Sequence, residues 1–238
     1  MSRQLLHLVV GAGEVGTALG EILDAPVRDI ELEEEPERVW MLHISFPYSE
    51  GFDDWVRAYR DRYDATVVVV HSTVPVGTCR RLGVCHSPVR GRHPHLAEGM
   101  RAHVKFFAGV GAEEASLVFW QRGVATEVVA DPESTEAGKL WDLLQYGWSI
   151  MLQKRAYAWC RRVGADPDVA YRQMNLAYNA GYQQLGEPQF VRPVLEEQPG
   201  RIGGHCVVPN MAFVDDALAR LLEDFDAALE ENRERLHA

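Results

Sequence analysis

The sequence predicts an α/β protein: a doubly wound parallel sheet followed by a smaller all-helical domain with a long dimerisation helix. Three observations predict it. An apolar run at 5–10 breaks into Gly11-Ala12-Gly13-Glu14-Val15-Gly16 and then into a helix-compatible segment at 17–23. Short β-rich runs alternate with helical patterns as far as residue 129, the rhythm of strands joined by crossover helices. From Asp131 to Val163 no internal break follows Pro132, and Gly164 ends the run, giving about 30 residues or roughly 45 Å of helix at 1.5 Å per residue.

The glycine turn has the spacing of a dinucleotide-binding, Rossmann-type βαβ unit. Gly11 makes the tight turn, Gly13 lets backbone approach a pyrophosphate, and Gly16 lets helix pack on strand. A pyrophosphate then rests on the positive end of a helix beginning near Glu14, with Ala12 and Val15 completing the turn. A second strand at 26–30 ends in an acid. Asp29 follows Gly11 by 18 residues, close to the spacing of about 20 expected for a carboxylate on the ribose 2′-hydroxyl. A carboxylate there repels a 2′-phosphate, so the cofactor read from these residues is NAD; Arg28 is the feature that speaks for NADP.

The acidic stretch ELEEEPER at 31–38 reads as a solvated loop. VWMLHIS at 39–45 reads as the third strand, and 52–63 as a cover helix. ATVVVV at 65–70 is a continuous β-branched run, hence a strand buried on both faces. Short strands at 82–85, 104–110 and 126–129 complete the alternation, with ligands expected at the carboxyl ends of the strands. The domain division falls at 1–132 and 133–238. Asp131 caps the long helix, Pro132 takes its first position, and Glu133 and Glu136 suit its dipole. Apolar residues occupy much of its circumference (Leu140, Trp141, Leu144, Trp148, Met151), which implies cover from a partner subunit. Asp166-Pro167 opens another helix to about residue 184, a Pro- and Gly-rich loop runs from 186 to 210, and 211–236 reads as a final amphipathic helix.

At 238 residues with 47% hydrophobic and 25% charged residues, the composition is that of an ordinary globular protein. A net charge of −11 argues against nucleic acid, whose binders need a basic face. No apolar run approaches the ~18 residues of a membrane span, and the start lacks a signal-peptide pattern; a cytoplasmic location is expected. Four cysteines without pattern argue for reduced thiols. His93-Pro94-His95 with Cys85 fits no common metal spacing, so no metal is expected.

Four separated segments together resemble the UDP-glucose/GDP-mannose dehydrogenase family, within the wider β-hydroxyacid/6-phosphogluconate dehydrogenase-like superfamily. They are the glycine turn with Asp29-Ile30, the turn Ser72-Thr73-Val74-Pro75-Val76-Gly77-Thr78, the helix start Glu136-Ala137-Gly138-Lys139, and the loop Pro199-Gly200-Arg201-Ile202-Gly203-Gly204-His205-Cys206. The resemblance implies a form truncated before the C-terminal nucleotide-sugar-binding domain, a homodimer built on the long helix, and Ser72 and Thr73 at the cofactor. It implies Cys206 as a nucleophile whose thiolate adds to an aldehyde, and Lys139 as the group that polarises the substrate oxygen. Asn210 stands where the family has aspartate, Val89 where it has glutamate after Ser-Pro, and Leu143 where it has asparagine four residues past the lysine. Cys206, Lys139 and Asn210 are the catalytic candidates.

The basic segment 86–103, following a strand's carboxyl end, supplies Arg90, Arg92 and His93 as candidates for an anionic substrate. Arg192 and Arg201 flank the glycine-rich loop, whose Gly203, Gly204 and His205 complete the substrate set. The function expected is NAD-dependent oxidation of an alcohol on an anionic, nucleotide-sugar-like substrate through a Cys thiohemiacetal. Two alternatives stand beside it: a two-electron β-hydroxyacid-type dehydrogenase, and a non-catalytic NAD-binding or sensor protein.

Overall fold

A computed structural model describes residues 4–30, 38–198, 200–202 and 206–237. Among them seven strands form one sheet: β1 (Gln4–Val10), β2 (Val27–Arg28), β3 (Arg38–Ile44), β4 (Val67–Val70), β5 (Cys85–His86), β6 (Lys105–Gly109) and β7 (Thr126–Val129). The helices are α1 (Glu14–Leu23), α2 (Phe52–Arg62), α3 (Thr78–Leu82), α4 (Leu96–Ala102), α5 (Ala112–Trp120), α6 (Pro132–Arg162), α7 (Met174–Gln184), α8 (Val208–Met211) and α9 (Ala217–His237). The chain divides into two compact units, Met1–Lys139 and Leu140–Ala238. The acidic loop expected at 31–38 lies, but for Arg38, outside the described residues.

The sheet order is β2-β1-β3-β4-β5-β6-β7. The chain leaves β1 for β2 on one side, then returns past β1 to place β3 on the other, with parallel pairing throughout. That reversal beside β1 is the topological switch point of an open α/β sheet. Alternating side chains feed both faces. Val9, Met41, Val69 and Phe107 pack under α1, α4 and α5, while Leu8, Val10, Leu42, Ile44 and Val68 pack under α2 and α3. The Rossmann-like α/β fold expected from the sequence is therefore present, with one difference. β5 and β6 pair antiparallel, so β6 and β7 run opposite to the other five strands. The connection through α4, seven residues long, returns β6 to the edge where β5 ended, which strand–helix alternation in the sequence does not encode.

Three further expectations need correction. Residues 82–85 are not one strand: Gly77 (φ 92°) and Gly83 (φ 65°) bracket the short helix α3. Residues Asp168–Gln173, expected as α-helix, wind as a π-helix before α7 begins. The last long helix starts at Ala217 and not at 211, because Asp216 Oδ1 accepts the Leu218 N–H at 2.7 Å and sets a fresh N-terminus. In the second unit Leu143, Leu144, Ile202, Val207, Met211 and Leu222 form the core. A Cβ on Gly147 would lie 2.4 Å from a Leu222 methyl, so the glycine lets Leu222 pack close against α6.

Buried in the first unit is a chain of imidazoles. His71 Nδ1 lies 2.8 Å from the Ser87 carbonyl, His43 Nδ1 lies 3.0 Å from His71 Nε2, and His7 Nδ1 lies 3.5 Å from His43 Nε2. A carbonyl only accepts, so His71 carries its proton on Nδ1; its Nε2 then accepts, and His43 must donate from Nδ1. The same logic passes to His7. Burial holds these rings neutral: His7 is pushed down to about 4, His86 to about 3, and His43 and His71 well below their ordinary value. Lys105 lies among them, its Nζ donating to the Ser87 and Pro88 carbonyls at 3.0 and 3.2 Å, and burial lowers it to about 7.

The sign of the linkage follows. The unfolded chain binds protons on these histidines below about pH 6.5, while the native chain refuses them on His7 until about 4 and on His86 until about 3, and burial shifts His43 and His71 in the same direction. The histidines' contribution to stability is therefore full above pH 6.5 and falls as pH drops through that window, by about 1.4 kcal/mol per pH unit for each neutral histidine. Denaturant midpoints measured from pH 7 to 4 will show a steep decline in the native chain and a shallower one in His43→Phe; equal slopes would refute the buried-imidazole account.

Candidate active site

The glycine turn follows β1 at the switch point. Gly11 has φ 108°, and a Cβ there would meet Phe46 N at 2.8 Å. A Cβ on Gly16 would lie 1.8 Å from the Gly11 carbonyl oxygen, so α1 packs against the strand end only with glycine here. At Gly13, by contrast, no heavy atom lies within 4 Å of a Cβ position, leaving open space at the N-terminus of α1. Ala12, Gly13 and Glu14 are exposed, Val15 half-buried. Asp29 stands beyond β2 with its carboxylate exposed, Oδ1 accepting the Ile30 N–H at 2.8 Å. Tyr59 of α2 donates its hydroxyl to the Ile30 carbonyl and so fixes that strand end. Arg28 turns to Tyr63, with Nη1 3.5 Å from its hydroxyl.

Short polar side chains stitch the carboxyl ends of the strands together. Ser45 Oγ donates to the Val10 and Gly11 carbonyls at 3.0 Å each, joining β3 to the glycine turn. Ser72 Oγ donates to the Phe46 carbonyl at 2.5 Å. His86 lies 3.3 Å from the Ser72 carbonyl through Nε2 and 2.7 Å from Thr135 Oγ1 through Nδ1. Ser72 is thus buried as a tie between strands, while Thr73 is half-buried at the turn.

The first turns of α6 bind this rim from the other side. Asp131 caps the helix as expected, Oδ1 accepting the Ser134 N–H at 2.8 Å. Glu136, fully buried, accepts the Gly77 N–H at 2.6 Å and the Cys79 N–H at 2.8 Å, closing the end of α3. Burial raises its carboxyl above the ordinary range. One turn later Lys139, half-buried, donates from Nζ to the Val89 carbonyl at 3.0 Å. Val89 is buried in the apolar core, so that position offers no carboxylate and lends its backbone to Lys139.

The basic segment lies against the glycine-turn helix. His93 Nδ1 pairs with the Glu14 carboxylate, and Arg101 Nη1 is 3.1 Å from Glu21 Oε1. Arg92 is exposed at the same turn, while Arg90 lies over the Phe106 ring, 5.4 Å from its centroid.

In the second unit the candidate residues are held by structural partners. Arg201 donates from Nε and Nη2 to Asp226 Oδ2 at 2.7 and 2.5 Å, and Asp226 Oδ1 takes the Ile202 N–H. Arg192 packs 3.7 Å from the Tyr178 ring centroid and reaches Asn175 Oδ1 at 3.3 Å. Cys206 is half-buried, its carbonyl accepting from Asn210 Nδ2 at 2.7 Å. Gly203, Gly204 and His205 lie outside the described residues. Sequence reading missed Ser45, His86, Lys105 and Thr135. Only the period-2 placement of His7 and His43 on one face of neighbouring strands hinted at a polar interior.

No protein-family model and no curated protein sequence matches the chain. Solved structures do. The chain is similar to a UDP-D-ManNAc dehydrogenase from Pyrococcus horikoshii (TM-score 0.72, 14% identity, 94% of this chain and 69% of that one). It is similar to the UDP-N-acetyl-mannosamine dehydrogenase Cap5O from Staphylococcus aureus (0.61, 16%, 95% and 68%). It is also similar to a 3-hydroxyisobutyrate dehydrogenase from Mycobacterium tuberculosis (0.60, 12%, 96% and 94%). At these identities the likeness is one of fold, and the fold is the one these nucleotide-sugar and hydroxyacid dehydrogenases share.

Proposed function

We propose that the protein is an NAD-dependent oxidoreductase acting on a CH–OH group of an anionic, nucleotide-sugar-like substrate, residues 1–132 binding the cofactor and 133–238 the substrate. The observation that carries the reading is the cradle at the switch point. Gly11 and Gly16 admit no side chain, Gly13 faces open space at a ten-residue helix, and an exposed Asp29 carboxylate ends the neighbouring strand. These residues fit a dinucleotide: backbone N–H groups for the pyrophosphate and Asp29 for the ribose. NAD, when bound, supplies the hydride acceptor.

Lys139 is the residue that polarises the substrate oxygen and steadies the alkoxide as its proton leaves. The tie between its Nζ and Val89 supports this, because it holds the ammonium at the rim of the sheet instead of free in solvent. Cys206 is the nucleophile of a second oxidation: its thiolate adds to the carbonyl carbon of the aldehyde, and the resulting thiohemiacetal, on giving a second hydride to a second NAD, would become a thioester for water to cleave to the acid, releasing the thiol. A specific observation favours the two-electron alternative. Asn210, in the place of a carboxylate, gives its amide N–H to the Cys206 carbonyl, so no carboxylate base stands there for thioester hydrolysis.

The test is the NADH yield per substrate across a panel of nucleotide sugars and hydroxyacids. Lys139→Ala will lower kcat by about 10²–10³, the usual cost of removing one oxyanion-stabilising donor. Two NADH per substrate, falling to one in Cys206→Ser, supports the thioester route, whereas one NADH in both establishes the two-electron reaction. NAD bound without turnover anywhere on the panel would favour the non-catalytic alternative.

Asp29→Asn will weaken NAD binding about tenfold and narrow the preference over NADP, read by titration calorimetry, since the carboxylate both accepts from the ribose and repels a 2′-phosphate. Assembly is part of the proposal. Along α6, Trp141, Tyr146, Leu152, Trp159 and Val163 are each more than half exposed, and a groove of about 560 Å³ runs past Leu152, Arg155 and Trp159. These exposed apolar side chains support a face covered by a second copy of the chain. Sedimentation at micromolar concentration will give twice the 26.8 kDa chain mass, and a monomer would refute the dimer.

A further inference from the structure

Glu14 is out of place in a pyrophosphate cradle. It is the first residue of α1, exposed, beside the backbone N–H groups that would meet two phosphate charges. A carboxylate there is stabilised by the helix dipole when the site is empty, and repels a pyrophosphate when it is filled.

The turn at 91–95 is built to reach this carboxylate. Gly91 (φ 151°) lies so close to α4 that a Cβ on Gly99 would be 2.5 Å from its Cα. The His95 N–H donates to the Arg92 carbonyl at 2.7 Å and closes the turn. Leu96, Ala97 and Met100 of α4 share one core with Ala18, Leu19 and Ile22 of α1, and Arg101 bonds Glu21. The tip of the turn thereby delivers His93 to Glu14.

Resting on the dinucleotide reading above, we infer that His93 is the residue that makes Glu14 compatible with an anionic cofactor. By donating from Nδ1 it engages the carboxylate and draws it toward the 91–95 turn, so that the N-terminus of α1 stays available to a pyrophosphate. His93 is a positioning residue in this account, acting on the cofactor through Glu14.

A double-substitution cycle with NAD as the titrant tests it, read by calorimetry with no turnover needed. His93→Ala leaves Glu14 uncompensated and raises the Kd for NAD about five- to tenfold. Glu14→Gln lowers it. In Glu14→Gln the further change His93→Ala has little effect, and His93→Lys, which keeps a donor at the turn, retains most of the native affinity. Equal effects of His93→Ala in both backgrounds would overturn the inference. So would tighter binding in His93→Ala, which would make the turn a strap that the cofactor must displace. No binding of NAD by the native protein would overturn the dinucleotide reading itself, a result distinct from binding with a flat cycle.

Discussion

The buried carboxylate of Glu136 holds the carboxyl rim of the first unit's sheet in shape. It accepts two backbone N–H groups, from Gly77 and Cys79, that would otherwise end a five-residue helix in the protein interior unpaired. Leaving one such donor unsatisfied costs about 1–3 kcal/mol. The same two bonds fix the start of a 31-residue helix against the turn after β4. Because Lys139 follows on the same helix, its position is set by that anchor and by its own bond to Val89. Thr135, just before Glu136, reaches His86. Three successive contacts from one and a half helical turns therefore grip the ends of two strands.

The rim that results is rigid through small residues. Ser45, Ser72 and His86 each spend a side-chain hydrogen bond on a neighbouring strand's carbonyl, so that four strand ends are cross-linked beyond the sheet's own ladder. Ties from side chains with so few rotamers are what pre-organisation of this edge requires. The glycine turn is bound into it through Ser45, whose hydroxyl reaches the Gly11 carbonyl that also excludes any side chain at Gly16. Cradle and Lys139 are thus parts of one hydrogen-bonded edge.

What the sequence made legible was local. The glycine spacing, the β-branched run of β4 and the Asp131 cap each act over a few residues, and each is found where the pattern places it. The reversal of β6 was not legible, because strand direction depends on where a connection ends and not on its composition. Glu136 and Thr135 meet partners 57 and 49 residues away, and nothing in their neighbourhood names those partners. Arg201 read as a substrate candidate from its place at a glycine-rich loop; its observed partner, Asp226, sits on a helix 25 residues on. Valine at position 89 and leucine at 143 read as lost carboxylate and amide functions, and both turn out to be packed in apolar cores.

The imidazole chain has an electrostatic polarity. Each ring carries its proton on the side facing the Ser87 carbonyl, so the three ring dipoles add instead of cancelling, and their positive ends point toward the carboxyl edge of the sheet. A field of that sign opposes a cation there. It favours an anion. Uncharged side chains in the interior therefore reinforce the helix dipole of α1 in making this edge receptive to negative charge, in a protein whose net charge is −11.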